Sequence, residues 1–498
     1  MTKTKSLLLW IALAATFTLL FYQQKIGVNL LIFELLLLFT ARKMYGCFVQ
    51  SSYAKVLLAL VFSSLVAVVI VNSALAITAN IIFLLLLAGW LAQQQTPNFM
   101  WAAINALKNI FIAPILGVYA LFKTTNNPKN KAAKIFQIIA FALVIFVLIV
   151  LFSAVYSSAS PWFGEKVEVI LDQFFSWIEN INIQWLPTFV LGAILSAVFL
   201  FSKSDSTLAE LDKQSEDVFI QNTEKQSVIY RNGVIVLLIF LNLLLLVVNW
   251  LDLKNVWLFF EWNGDFLKQF VHEGTYMLLF SVALAAIVML IIYSSSARNI
   301  QNDKFLSALS YFWIAQNVFL ILSVGMRNYW YMSYFALAYK RIAVVFVLIL
   351  LLAGLVLLFL KIKKHKSIFW LIKQNSLALF LIFGLSALPN WDGIIARYNL
   401  SHYQKSFVHF DFLAQLSGKS LPILDMKKAE LAAIEQAQQN LFFLEADYMK
   451  ADEFHKRIQE RKPKFINQVE NRSFLSWNYA DYRAVKKLVS STEIISTD

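Results

Sequence analysis

The stretch Val234–Val248, VIVLLIFLNLLLLVV, decides the fold class of this chain. A second stretch of the same kind, Ile342–Leu360, reads IAVVFVLILLLAGLVLLFL. About 20 apolar residues in a helix span a bilayer, because lipid offers the backbone polar groups no partner outside the segment. Similar runs recur from Ser6 to about Leu388 and then stop. The sequence therefore predicts an all-α, polytopic helical membrane protein that ends in a soluble helical domain.

Composition agrees with a membrane protein. Of 498 residues, 59% are hydrophobic and 15% are charged, whereas soluble domains average about 25% charged residues. The single cysteine, Cys47, excludes a disulfide framework and any metal site built from several cysteines. The formal charge of +13 does not indicate a nucleic-acid partner, because the segment from Pro389 onward holds fifteen Lys/Arg against fourteen Asp/Glu. The positive excess lies in the membrane part, where the positions of Lys and Arg indicate which loops face the cytoplasm.

Eleven spans are predicted, which lie near residues 6–22, 27–41, 56–73, 76–93, 135–156, 186–202, 234–251, 274–294, 305–325, 342–361 and 369–388. The segment 97–123 differs from them. Its first half is amphipathic, with Trp101, Ile104 and Leu107 at helical spacing, and its second half is short and contains Pro114. We therefore expect 97–123 to be an interfacial helix or a re-entrant piece of a transmembrane domain that covers residues 1–388.

The distribution of Lys and Arg predicts the orientation of the eleven spans. With the N-terminus in the cytoplasm, the inside segments carry twenty-one Lys/Arg and the outside loops carry seven. Cytoplasmic loops are the ones enriched in these residues. If 97–123 crossed the membrane, every later loop would change sides and Lys361–Lys366 would lie outside. The sequence therefore predicts a multi-pass protein of the inner (cytoplasmic) membrane, with the C-terminus outside the cytoplasm.

The segment 389–498 is predicted to be an extracytoplasmic helical domain. Three helices are expected, at Asp425 to about Lys450, at Asp452–Arg461 and at Asp481–Ser490, with Pro463 ending the second. Gly418 and Pro422 indicate a turn. A small helical bundle is favoured over a pair of tetratricopeptide-type hairpins, because no clean internal repeat is found.

Polar residues inside the spans are the first candidates for a functional site, because such residues are costly in lipid. Glu34 lies in the middle of the second span and is either a proton-carrying or cation-pairing site or a neutral acid satisfied by a neighbouring helix. His272 and Glu273 lie at the outer mouth of the eighth span, where they are more typical of an interfacial pair than of a proton relay. Interhelical amide hydrogen bonds are expected from a further set, Asn242, Asn249, Gln316 and Asn317.

A more specific pattern begins at Arg327. Arg327, Tyr331, Tyr334, Ala338 and Arg341 step by four, three, four and three residues, which would place them on one helical face at the outer interface. Aromatic residues are expected there as membrane anchors. Two Arg on one aromatic stripe are alternatively able to clamp an anionic group such as a lipid phosphate.

Four runs carry a resemblance to a known family: His272–Tyr276, Ala315–Asn317, Tyr334–Ile342 and Ile395–Leu400. They resemble the bacterial membrane-protein family of unknown function numbered 4153 and its relative 4173. The resemblance covers about Ser215–Gln415 and extends more weakly to Trp477–Tyr479. Family members usually show Gly-Leu-Thr before Tyr-Lys-Arg, where this chain has Ala336–Leu337–Ala338. The resemblance implies architecture and orientation, and the family has no assigned reaction.

No Gly-rich phosphate loop, His-Glu-x-x-His or Gly-x-Ser-x-Gly motif is present. We therefore expect a protein that is not an enzyme and that needs no cofactor or metal. The first hypothesis is an envelope binding, sensing or scaffold protein whose partners are the bilayer and either an envelope protein or an anionic lipid. The second is a secondary transporter or lipid-handling protein, in which Glu34, His272, Glu273 and Arg327 would meet in one cavity.

Overall fold

A computed structural model of the chain describes residues 3–46, 51–94, 98–124, 184–214, 228–260, 264–293, 303–439 and 448–495, with residue 441 and several positions between 145 and 169. The regular elements in these ranges are all helices. The predicted all-helical fold class is confirmed in this part of the chain. Most of the predicted span 135–156 lies outside the described residues.

The membrane part contains twelve labelled helices in the described ranges. They are α1 (Lys3–Phe21), α2 (Val28–Tyr45), α3 (Ser52–Ile70), α4 (Ala74–Leu91), α5 (Phe99–Thr124), α6 (Leu186–Leu200), α7 (Ser206–Gln214), α8 (Val228–Asp252, continued by a π-helical turn Leu253–Leu258), α9 (Gly264–Ile292), α10 (Lys304–Phe335), α11 (Tyr339–Lys363) and α12 (Ile368–Ser386). Side-chain caps fix several of their starts: Ser73 accepts from the Ala76 N–H, and Asp303 from the N–H groups of Phe305 and Leu306.

Eight helices in the described part of the chain are long and apolar enough to cross a membrane: α3, α4, Phe99–Leu121 of α5, Val228–Leu258, Thr275–Ile292 of α9, α10, α11 and α12. Lys5–Phe21 and Leu186–Leu200 are apolar but shorter. The chain is therefore a multi-pass membrane protein by length and composition. The count of eleven spans and the interfacial position of 97–123 stay predictions, since Phe99–Leu121 itself has the length and hydropathy of a span.

The membrane helices build two apolar cores. The first is formed by α1 to α6 and includes Phe33, Leu57 and Phe83. The second is formed by α8 to α11 and includes Leu238, Trp313 and Leu355. Helix α12 touches both, because Leu371 belongs to the second core whereas Phe380 and Phe383 pack against the first.

The first bundle has two distinct ends. At the end where α1 begins, which we call the proximal end, the Tyr45 hydroxyl donates to the carbonyl oxygen of Phe199 at 3.0 Å. At the opposite end, the distal end, Asn72 Nδ2 donates to the Ile26 carbonyl at 2.8 Å. Successive connections between these helices therefore lie at opposite ends of the bundle.

The first half of helix α5 contacts the proximal end of the first bundle. Near its start, Asn105 Nδ2 donates to the carbonyl of Gly89, close to the last turn of α4, at 2.7 Å. Gly89 has no side chain, which permits this approach: a Cβ there would lie 2.2 Å from the Ala102 carbonyl oxygen. Farther along, Lys108 Nζ lies 2.6 Å from Asp205, just beyond the end of α6.

The C-terminal segment, which we call the tail, folds around its own apolar core. Its helices are α13 (Trp391–Ser401), α14 (Phe410–Leu413), α15 (Leu421–Leu424), α16 (Lys428–Gln439), α17 (Ala451–Glu470) and α18 (Tyr479–Ile495). Leu424, Phe454, Ile458 and Leu488 are almost fully buried in this core. The Gly418–Pro422 region, predicted as a turn, forms a 3-10 turn followed by α15.

Two of the predicted tail boundaries are wrong. The helix expected to run to about Lys450 ends at Gln439, so Tyr448 lies outside it. The helix expected to stop at Pro463 runs through it to Glu470. Contacts on both sides of the proline join this helix to the rest of the tail: Lys462 Nζ lies 2.6 Å from Asp425, and Phe465 packs against the tail core. Tertiary packing thus offsets the lost backbone hydrogen bond.

Candidate functional site

The tail is docked onto the distal end of the first bundle and onto the turn between α10 and α11 of the second. On the first bundle, Lys419 Nζ donates to the carbonyl oxygens of Val71 and Asn72 at 2.8 and 2.9 Å. These carbonyls close the C-terminal end of α3, where cations are favoured by the helix dipole. Burial lowers the pKa of Lys419 from its usual value. Because its ammonium reaches across from the tail, Lys419 is both an anchor and a helix cap.

A second contact joins the tail to the loop between α1 and α2. The Ser476 hydroxyl donates to Gln24 Oε1 at 2.9 Å and accepts from the Lys25 backbone N–H at 2.9 Å. The N–H of Val28, the first residue of α2, donates to the Trp477 carbonyl at 3.0 Å. Gly27 allows this approach, since a Cβ there would lie 2.4 Å from the Trp477 oxygen.

The third contact brings together two of the family-like runs. Asn399, from Ile395–Leu400, accepts from the Leu337 N–H at 2.8 Å and donates to the Leu337 carbonyl at 3.0 Å. Leu337 lies in Tyr334–Ile342. The side chain of Asn399 thus supplies both the acceptor and the donor that the backbone N–H and carbonyl of Leu337 need, as a neighbouring β-strand would. A hydrogen bond from the Phe407 N–H to the Tyr334 carbonyl, at 2.7 Å, adds to this junction.

The turn between α10 and α11 separates the residues that were predicted to share one helical face. Helix α10 ends at Phe335, Ala336 has φ +58°, and α11 begins at Tyr339. The prediction of one continuous face from Arg327 to Arg341 is therefore wrong. Ala336 is the physical reason, because its positive φ reverses the chain where helical periodicity alone predicted that it would continue.

The two arginines have separate partners. Arg341, on α11, donates to the carbonyls of Phe335 and Ala336 at the C-terminal end of α10. Its guanidinium also lies 4.4 Å from the centre of the Tyr331 ring, a cation–π contact. Tyr334 lies beside Phe260, with ring centres 6.3 Å apart. Arg341 therefore closes the end of α10.

Arg327 forms an ion pair with Asp252, the last residue of α8. Both side chains are about 7% exposed. A buried pair of this kind is strongly destabilised when one partner is removed, because the other charge stays in an apolar place. Two tryptophans flank the pair: Trp257 donates to the Ser323 hydroxyl at 3.0 Å, and Trp330 to the Val256 carbonyl at 3.0 Å. The arrangement joins α8, its π-helical turn and α10.

The interhelical amide bonds predicted between α8 and α10 are present. Gln316 Nε2 donates to Asn242 Oδ1 at 2.7 Å, and Asn249 Nδ2 donates to the Gln316 carbonyl at 3.1 Å. Asn317 bonds within its own helix, to the Trp313 carbonyl at 2.9 Å. The prediction is confirmed for three of the four residues.

Glu34 is fully buried between α2, α3 and α4. Asn80 Nδ2 donates to its Oε2 at 3.2 Å and lies 3.3 Å from the Ser64 hydroxyl. The other carboxyl oxygen, Oε1, has no hydrogen-bond partner among the residues that the structure describes. The side chains of His272 and Glu273 lie outside the described residues. Glu34 and Arg327 lie on helices of different apolar cores, so these two do not meet in one cavity.

A cavity of about 650 Å³ opens in the tail between the end of α17 and α18. Its walls include Arg472, Trp477 and Tyr482. The apolar periodicity of the tail did not predict this cavity. The one feature of the sequence that marks it is the aromatic run Phe474–Tyr479, which precedes the third predicted helix. Among the described residues, no cluster of three or more His, Cys, Asp or Glu could hold a metal ion.

The family-like runs that meet at the third docking contact lie within a longer match. The family model described as Domain of unknown function (DUF4153) covers residues 55–426, about three quarters of the chain. The chain belongs to this family. No curated protein and no solved structure matches it. The DUF4153 match begins well before the run from Ser215 on which the resemblance was predicted, and it ends before the cavity-lining segment of the tail.

Proposed function

We propose that this DUF4153 protein is a non-enzymatic binding protein of the bacterial inner membrane. In this proposal the N-terminus is cytoplasmic, residues 1–388 anchor the chain, and the tail (389–498) is an extracytoplasmic module that binds an envelope component. The observation that carries the proposal is the tail itself. It is fixed to both bundles by Lys419, Ser476 and Asn399, and it presents a cavity that the membrane part does not fill.

The positions of loops support the orientation in this proposal. The tail contacts the loop between α1 and α2 and the end of α3, which are the distal end of the first bundle. The first residues of α1 belong to the opposite end. The contacts of α5 with Gly89 and Asp205 at the proximal end favour a helix that lies along that end, as proposed for 97–123.

Photo-crosslinking in cells tests the binding role. Benzoylphenylalanine would replace Phe474, which is 71% exposed at the cavity, in the full-length protein. We expect adducts with an envelope component that are absent when the probe replaces Phe240, a residue of α8 that is 67% exposed. The same adducts at both positions would show only contact with bulk lipid and would contradict the proposal.

One observation favours the second candidate function, a secondary transporter. Glu34 is a fully buried acid with one oxygen that the described residues leave without a hydrogen bond. Ionisable residues at such depth often belong to proton pathways. The same residue is also explained by its interhelical bond with Asn80, and for this reason the binding role is the function that we propose first.

A further inference from the structure

The tail cavity combines apolar walls with two basic side chains, Arg472 and Lys486, and two acidic ones, Glu470 and Asp481. It lies between the last turn of α17, the 3-10 turn Phe474–Ser476 and the outer face of α18. Its volume of about 650 Å³ lies in the range of small-molecule sites. The lining side chains that a ligand would contact are those of Arg472, Phe474, Trp477, Tyr482, Lys486 and Val489. Such a lining suits an amphiphile better than a wholly polar solute.

Arg472 supplies the polar group that lacks a partner. Its Nη1 donates to Asp481 Oδ2 at 2.5 Å. Its Nε is buried and finds no acceptor among the residues that the structure describes. A buried donor left unpaired costs free energy, and a guanidinium donor costs more than a neutral one. A shift of the Arg472 side chain toward the cavity would expose this donor to a ligand oxygen and remove the cost.

A second cation lies beside Arg472. Burial lowers the pKa of Lys25, and the positive charge of Arg472 lowers it further, whereas Asp481 acts in the opposite direction. Asp481 already accepts hydrogen bonds from Arg472 and, at 3.0 Å, from Asn478. Lys25 and Arg472 thus repel each other, although Lys25 is not part of the cavity wall, and an additional anion would relieve this repulsion.

The cavity lies at the distal end of the first bundle, where α2 begins. The turn on its wall holds Gln24 through Ser476, and the Trp477 carbonyl accepts from Val28, the first residue of α2. Phe474 projects largely exposed beside it. Aromatic side chains concentrate at the depth of the lipid headgroups. In the proposed arrangement, where this end of the first bundle lies at the membrane surface, lipid headgroups are the anionic groups nearest to the cavity.

We propose that this cavity binds an anionic phospholipid through its phosphate. Arg472 donates from Nε to a phosphate oxygen, and Trp477 and Tyr482 pack against the glycerol and the first acyl carbons. Arginine is suited to this role because its planar donors match phosphate oxygens and keep their charge. The inference deepens the proposed function and rests on it only for the tail as the binding module.

Native mass spectrometry of the full-length protein in a neutral detergent tests the proposal. The probes are dihexanoyl-phosphatidylglycerol, dihexanoyl-phosphatidylcholine and inorganic phosphate, each titrated separately. We expect one saturable equivalent of the phosphatidylglycerol, with the phosphatidylcholine about tenfold weaker or more, because the two lipids share the phosphate but the choline trimethylammonium would lie close to Arg472 and Lys486. Equal binding of the two lipids would overturn the proposal. Inorganic phosphate that binds as tightly as the phosphatidylglycerol would identify a site for the free anion and would overturn the lipid assignment.

Three variants locate the site. Arg472→Gln should weaken phosphatidylglycerol binding about tenfold, the loss expected from one charge-assisted hydrogen bond. Arg472→Gln also breaks the pair with Asp481. Val489→Phe therefore serves as a second variant, which fills the cavity and leaves that pair intact. It should abolish the bound equivalent of phosphatidylglycerol. Arg483→Gln, an exposed arginine of α18 outside the cavity, is the matched control and should bind as the wild type.

Unchanged affinity in both Arg472→Gln and Val489→Phe would overturn the proposal, as would an equal loss in Arg483→Gln. These measurements in detergent do not depend on which side of the membrane the tail occupies. A negative result would therefore leave the proposed binding role to be decided by the crosslinking at Phe474.

Discussion

Ala336 holds a backbone conformation that its side chain disfavours. Its φ of +58° and ψ of −163° fall in a region used almost only by glycine. The residue is fully buried between the end of α10 and the tail. The carbonyls on either side of this turn are held by Arg341 and Asn399. The surrounding contacts thus impose the conformation on an alanine.

Ala336→Gly should therefore stabilise the protein. We expect a gain of about 1 kcal/mol, the lower part of the cost of a non-glycine residue in this region, because the lost methyl group offsets some of it. Thermal unfolding of the full-length protein in detergent measures it. Ala387→Gly is the matched control, since Ala387 is equally buried with helical φ and ψ, and it should lower stability. A loss in both variants would mean that Ala336 is unstrained.

The ion pair between Arg327 and Asp252 could not be predicted from the sequence. Helical periodicity placed Arg327 on a face with Arg341, whereas the two side chains belong to different helices with different partners. Periodicity reports the relation between neighbours in one helix. It carries no information about a carboxylate on another helix 75 residues away in the chain.

At the scale of elements, most apolar runs that were predicted as spans coincide with helices in the part of the chain that the structure describes, because each depends on a local property, the length of an apolar run. The tail boundaries were less predictable. Pro463 usually ends a helix, but contacts of Lys462 and Phe465 with distant segments hold α17 together across it. The cavity escaped prediction for the same reason, since its walls come from two helices and a turn that only the tertiary fold brings together.

Helix α5 is held at the proximal end by the ion pair of Lys108 and Asp205. The hydrogen bond from the Lys108 side chain lowers the pKa of Asp205 below its usual 3.8, and a further bond from the Thr207 side chain acts in the same direction. A depressed carboxyl pKa contributes stability that is present above the unfolded-state pKa and is lost as the pH falls through the lower, folded value. The fixing of α5 is therefore sensitive to strong acid and insensitive to pH near neutrality.

Asp205→Asn should lower the melting temperature of the full-length protein at pH 7, by an amount that corresponds to about 1 kcal/mol or less because the pair is partly exposed. The difference from the wild type should stay constant down to about pH 4 and then shrink as the wild-type carboxyl is protonated. Thermal unfolding between pH 7 and pH 3 measures it. A difference that is the same at pH 3 would assign the effect to the amide substitution itself.

At the scale of the whole molecule, the tail joins two bundles that otherwise meet mainly through α12. Lys419 and Ser476 hold the first bundle, and Asn399 holds the turn between α10 and α11 of the second. All these contacts lie at one end of the helices. A conformational change in the tail would therefore act on both bundles together. A binding module needs such contacts if ligand binding is to change the conformation of the membrane part.

The orientation of this end relative to the cytoplasm is the last prediction. A reporter that is active only outside the cytoplasm should be active when fused after Asp498 and silent when fused after Lys366. The reason is the positive-inside rule, with twenty-one Lys/Arg on the inside segments against seven outside in the eleven-span arrangement. A cytoplasmic reporter at the same two positions is the control and should give the reverse pattern. Activity after Lys366 and silence after Asp498 would mean that α5 crosses the membrane, since one added span between the N-terminus and α6 changes the side of every later loop.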